Sequence, residues 1–159
     1  MQEAFGGILS LVLIVVFFVI VEGVLGFTVS YTKAFRMKNA VISDFEQYEA
    51  AGCGVDDDMS STACKNKIRS DAKILKYNPP RLSCPKTIAY GDNVAIPVKE
   101  VDGMFCAAKI NTRTVGGTQF ATYRIITQVD IDFPIVKNIL GLRLFQVTGD
   151  TREIQVNNS

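Results

Sequence analysis

The chain contains no histidine. That absence removes imidazole general bases, Ser-His and Cys-His nucleophile pairs, and the usual catalytic zinc sites. It also lacks an excess of either charge, with 17 Lys and Arg against 16 Asp and Glu and a net charge of +1. No field draws in nucleic acid, and no basic stripe is interleaved with aromatics, so no nucleic-acid partner is expected. Proline is missing from Met1 to Gly52, so nothing there forbids a continuous helix. The stretch Met1 to Gly7 has no Lys or Arg and carries Glu3. A secretory signal peptide has a basic start, a short apolar core and a small-residue cleavage site. This segment is therefore expected to be an anchor that signal peptidase leaves in place. There is no internal repeat and no low-complexity tract.

What is present crowds toward one end. From Gly6 to Tyr31 the ionisable side chains are Glu22 and Tyr31, and Ile8 to Val21 is Leu, Ile, Val and Phe with a single Ser. A membrane span needs roughly 20 apolar residues, and this run, which includes Phe17 and Phe18, supplies them. Beyond it, Ala34, Met37, Val41, Phe45 and Tyr48 recur at spacings that mark one helical face. Lys33, Arg36, Lys38, Asp44 and Glu46 lie largely off that stripe. The pattern predicts one helix from about Gly7 to Ala50, roughly 65 Å long, with Gly52 as a stop. Half would sit in lipid and half would stand out of it. The outer stripe then needs cover from the chain's own C-terminal domain or from a neighbouring chain.

Glu22 is the informative residue of the span. An ionised carboxylate at membrane depth is costly and faces a partner or water. Three readings stay open: Glu22 snorkels to headgroups, pairs with a cation or donor on another subunit, or lines an ion path. Gly23 and Gly26 follow it and allow close helix approach, although the spacing is not GxxxG. The topology signals conflict. Lys33, Arg36 and Lys38 follow the span and, by the positive-inside rule, hold the C-terminal part in the cytoplasm. The cysteines argue for the opposite side. Cys53, Cys64, Cys84 and Cys106 form an even set with no C-x2-C pair and no His, which points to disulfides rather than metal. Of three possible connectivities, Cys53–Cys64 and Cys84–Cys106 close the shortest loops and are favoured.

The remainder divides into a connecting region, residues 53–86, and an antiparallel sheet domain, residues 87–159, after the helix of residues 1–52. Asp56, Asp57 and Asp58 lack the spaced pattern of a calcium loop and read as a solvated turn. Ala63 to Leu75 is expected to form a short helix with Ala63, Lys67, Ser70 and Ile74 on one side, closed by Pro79 and Pro80. Val94, Ile96 and Val98 alternate, with Pro97 marking an edge. Gly103 to Ile110 is a second strand, and Val115-Gly116-Gly117-Thr118 a hairpin turn. Gln119 to Phe133 alternates with Ala121, Tyr123, Ile125, Thr127, Val129, Ile131 and Phe133 on one face, as expected of a sheet buried on one side. Pro134 ends it, Ile135 to Leu140 is apolar enough to contact the helix, a neighbour or lipid, and Leu142 to Thr148 supplies a partner strand bounded by Gly141 and Gly149. The expected class is α+β.

The apolar run ending in Ile20-Val21-Glu22-Gly23, the strand Val129-Asp130-Ile131-Asp132-Phe133-Pro134 and the following Gly141-Leu142-Arg143-Leu144 carry a resemblance. Together with a half-membrane, half-amphipathic helix they resemble type IV pilins and pseudopilins, and within that group the TadE-like proteins of tight-adherence pilus systems. The resemblance implies a pilin-like fold and self-association with other pilus-assembly subunits through the N-terminal helix, by Phe17, Phe18, Glu22, Gly23, Gly26, Met37, Val41 and Phe45. It implies a membrane-anchored chain with an extracytoplasmic head, no cofactor and no small-molecule substrate. The sequence departs from the prepilin-peptidase pattern, because Gly7 precedes Ile8 and the fifth residue after Gly7 is Val12 rather than Glu. The alternative is a single-span component of a secretion or conjugation apparatus that never enters a filament. An enzyme would have only Lys99-Glu100 or the Asp130/Asp132 pair to work with.

Overall fold

With no proline to interrupt it, the N-terminal part runs as one helix, α1 (Gln2–Gln47), of 46 residues. A computed structural model describes residues 2–48, 53, 62–79, 82–91, 94–130 and 144–156. After α1 come a short helix α2 (Thr62–Ile74) and seven strands: β1 (Thr87–Tyr90), β2 (Val94–Pro97), β3 (Lys99–Val101), β4 (Phe105–Val115), β5 (Thr118–Asp130), β6 (Leu144–Asp150) and β7 (Ile154–Val156). The class is α+β, a long apolar helix followed by a small antiparallel sheet domain.

Strands β3, β4, β5 and β6 hydrogen-bond in that order, and β7 pairs with the first residues of β5, beside β6. Strands β1 and β2 form a separate ribbon, and Pro97 sits at its end opposite Thr87. The β4–β5 turn at Gly116 and Gly117 has φ of 59° and 84°. Both angles are positive, as a primed hairpin turn requires and as glycine supplies without steric cost. The central strand is Thr118–Asp130, so the expected continuation through Phe133 and Pro134, like the apolar run Ile135 to Leu140 and the Asp56–Asp58 turn, lies outside the described residues. Among the described residues the partner strand is Leu144–Asp150 and runs through Gly149 rather than stopping before it, while the expected Leu142 and Arg143 lie outside the described residues. A Cβ at Gly149 would lie 2.9 Å from Lys38 Cδ and 3.0 Å from Ile42 Cδ1. Glycine there lets α1 lie close on the sheet.

The outer half of α1 lies across one face of this sheet. Ala34, Met37, Val41 and Phe45 are fully buried. Phe45 meets Phe105 and Tyr123 edge-on at centroid distances of 6.0 and 5.7 Å, the favoured geometry for aromatic pairs. Thr127 Oγ1 donates to the Ala34 carbonyl at 3.0 Å, fixing the height of helix against strand. Farther along, Glu46 accepts from the Arg152 backbone N–H at 3.0 Å and pairs with its side chain. Lys38 and Asp44 depart from expectation, since both are buried although the stripe leaves them off it.

The sheet is also covered on its second face, where one buried face was expected. Cys106, Ala108 and Ile126 are buried there. Their cover begins with the end of α2. Lys76 takes a left-handed φ of 51°. The Tyr77 and Lys76 N–H groups bond back to the carbonyls of Ala72 and Lys73, the Schellman pattern that ends a helix sharply. The chain then crosses to the sheet. The Tyr77 hydroxyl donates to the Gln128 carbonyl and accepts from the Gln128 N–H, each at 3.0 Å. It satisfies β5 beyond Ile126, where the pairing with β4 stops. The Gln128 side-chain amide bonds both the N–H and the carbonyl of Ser83. The Cys84–Cys106 disulfide closes this strap, with Cα atoms 5.7 Å apart. Cys53–Cys64, 5.2 Å between Cα atoms, ties the end of the α1 region to α2. On α2 the buried stripe is Cys64, Ile68 and Ala72. The side read from the sequence, Ala63, Lys67, Ser70 and Ile74, is the exposed one.

Candidate functional site

The helix has two physically different halves. In the head half, Ala34, Met37, Val41 and Phe45 are covered. In the arm, none of the most apolar 18-residue stretch is buried within the chain. Ile8, Phe17 and Phe18 are 65%, 63% and 60% exposed, and Leu, Ile and Val residues stand out on every side of the helix. Such a helix is long and apolar enough to cross a membrane, and lipid is the solvent that makes its all-round apolar surface stable. The helix fits membrane anchoring, and the two disulfides fit an oxidising, extracytoplasmic compartment for the head.

The predicted assembly residues fall into two groups. Phe17, Phe18 and Glu22 are exposed on the arm, Gly26 is half-buried and Gly23 is buried. Met37, Val41 and Phe45 are not available to a neighbour. They form the chain's own core against Phe105, Tyr123 and Ile125, which corrects the expectation that they pack in an intermolecular bundle. The spacing announced an apolar stripe correctly but carried no information about which chain covers it. Among the residues considered for an enzyme, Lys99 and Glu100 lie exposed on β3, and Asp130 closes β5 while Asp132 lies outside the described residues. Among the described residues no three His, Cys, Asp or Glu side chains gather as a metal site.

Two features at the junction of arm and head were not foreseen. The first is an aromatic row, Phe27, Tyr31 and Phe35, one helical turn apart and joined by Phe145 of β6. Tyr31 stacks on Phe35 at 6.3 Å, and Phe145 lies 6.2 Å from Phe27 and 6.1 Å from Tyr31 between ring centroids. Lys38 Nζ stands 4.3 Å over the Phe35 ring. The i, i+4, i+8 spacing of the row was present in the sequence. The second is a groove between α1 and the C-terminal end of α2. Its volume is about 330 Å³, and Val29, Thr32, Lys33, Arg36, Ile74 and Leu75 line it. Higher in the same seam Asp44 and Asp71 face each other. Burial first, and the negative charge of Asp71 second, push the Asp44 carboxyl up to about 6, with Lys67 opposing. Lys67 holds Asp71 at 2.6 Å.

No protein-family model, no curated protein and no solved structure matches the chain.

Proposed function

We propose that the chain is a non-enzymatic structural subunit of a pilus-like surface-assembly machine, a minor pilin, pseudopilin or filament subunit that assembles through the lipid half of α1. The observation that carries this reading is the uncovered arm on a self-sufficient head. A rod that is apolar on all sides exchanges lipid for other rods at little net loss of apolar contact, whereas the head needs no neighbour to complete its core. The resemblance to TadE-like proteins in Ile20-Val21-Glu22-Gly23 and in the late strand region supports it further. Glu22, exposed on the arm, is then the group that selects a partner helix in lipid.

The burial of Met37, Val41 and Phe45 within the chain favours a second reading as well. With that stripe occupied, the surface left for helix packing is the arm, which also suits a single-span component of a secretion or conjugation apparatus that stays in the membrane. Shearing of intact cells separates the two. A filament subunit is recovered in the sheared surface fraction, while a permanent anchor stays with the membranes. In the filament reading, Glu22→Arg abolishes recovery in the sheared fraction and leaves the disulfides and the fold of the head intact. Undiminished recovery of that variant would remove Glu22 from the assembly mechanism.

A further inference from the structure

The head has a membrane-facing end whose composition differs from the rest of its surface. Helix α2 returns antiparallel to α1, so its last turn comes down beside Val29, Thr32, Lys33 and Arg36. Ile74, at that last turn, is 74% exposed, the most exposed large apolar side chain of the described residues. On the other flank of α1, Tyr31, Phe35 and the β6 residue Phe145 are exposed side by side. Four cations lie on the same segments: Lys33 and Arg36 line the groove with Ile74, Lys73 is in the last turn of α2, and Lys76 follows just after it. Among the described residues none of the four side-chain cations is in an ion pair or a side-chain hydrogen bond. Of the acidic groups near this end, Asp71 is already held by Lys67, and Glu22 lies on the arm. Lys76 holds a left-handed position that glycine fills at lower cost.

We propose that this end of the head is a second membrane-contact surface, in which Ile74, Tyr31, Phe35 and Phe145 enter the interface and Lys33, Arg36, Lys73 and Lys76 bind the phosphates of anionic lipids. The occupant follows from continuity. A span of roughly 20 residues beginning at Gly7 ends near Gly26, and Arg36 then lies only about 15 Å farther along the axis. The last turn of α2 stands at the same height, because it shares a groove with Val29 and Arg36. Aromatic and apolar side chains accompanied by cations are the composition that an interface of headgroups and upper acyl chains accepts. Each cation near an anionic surface contributes about 1 kcal/mol, and salt screens the attraction. This gives the basic residues after the span a role on the exported side, where the positive-inside rule alone gives them none. The proposal rests on α1 spanning the bilayer and not on filament assembly.

The chain has no tryptophan, so Ile74→Trp makes a single fluorescent reporter in the full-length protein. The variant is reconstituted in phosphatidylcholine vesicles with and without phosphatidylglycerol, each prepared with brominated acyl chains as quencher. The expected result is a blue-shifted emission quenched at least twofold more in the phosphatidylglycerol vesicles. The difference should disappear in high salt, and also when Lys33, Arg36 and Lys73 are changed to Gln and Lys76 to Gly. Equal quenching in both vesicles overturns the phosphate contact. A blue shift without quenching means that protein, not lipid, covers Ile74, and also overturns the proposal. A parallel Val16→Trp chain reports the span. If Val16→Trp is quenched and Ile74→Trp stays water-exposed, the head stands clear of the bilayer and this inference alone fails. If neither is quenched, the anchoring on which it rests fails too.

Discussion

Asp44 is the residue the head would be more stable without. It is 3% exposed, and its Oδ2 atom has no hydrogen-bond partner. Its carboxyl titrates at about 6 instead of 3.8, chiefly because burial penalises the charged form. The folded value lies above the unfolded one, so the folded state binds the extra proton. The contribution of Asp44 to stability is therefore most favourable below about pH 4 and is lost as pH rises through about 6. Asp44→Asn should match the wild type at pH 4 and exceed it at pH 7 by about 1–2 kcal/mol after allowance for solvent screening. Urea unfolding in detergent at the two pH values measures this directly. A difference that does not grow with pH would mean that Asp44 stays charged within the seam. Nothing in the spacing of α1 distinguished Asp44 from its exposed neighbours, because α2, which closes over it, is far away in sequence.

At the scale of elements, α1 is one helix with two solvents. Phe45→Ala should destabilise the head by about 3–5 kcal/mol, because it removes an aromatic side chain locked between Phe105 and Tyr123. Phe17→Ala should leave head stability unchanged within about 0.5 kcal/mol. Near-UV circular dichroism through a denaturant series compares the two, and equal losses would contradict the division. The continuous helix and its buried stripe were legible because periodicity and missing proline are local signals. The Gly116-Gly117 hairpin was legible because positive φ selects glycine. The ends of the alternating strand were less so, and three strands were not legible at all: β1, β3 and β7 are three or four residues long and, unlike the equally short β2, carry no clear alternation of apolar residues that the reading picked up. The buried side of α2 was not legible, because Cys64, Ile68 and Ala72 carry little apolar weight beside the exposed Ile74. Burial of Ile126 and Gln128 depends on the strap from Tyr77 to Cys84, which a reading of β5 by itself does not contain.

For the whole molecule, the sequence separated arm, connector and sheet but left the owner of the outer stripe undecided. The structure assigns that stripe to the chain itself, and the candidate surface contracts to the arm and the junction beneath the head. The strap on the far face depends on its disulfide. Cys84→Ala combined with Cys106→Ala should cost about 2–4 kcal/mol and admit protease between Tyr77 and Lys86, while the contact of α1 with β5 persists. Limited proteolysis followed by mass measurement would detect the nick, and cleavage appearing first within α1 would count against this order of stability. The unbroken course of α1 has a mechanical consequence. From Gly26 to Gln47 the helix reaches about 32 Å, with Thr127 and Arg152 clamping it to the sheet along the way. It therefore acts as a lever without a joint: a change of about 10° in its tilt within the bilayer swings Gln47 sideways by about 6 Å, so any force on the buried end is felt as rotation of the domain outside.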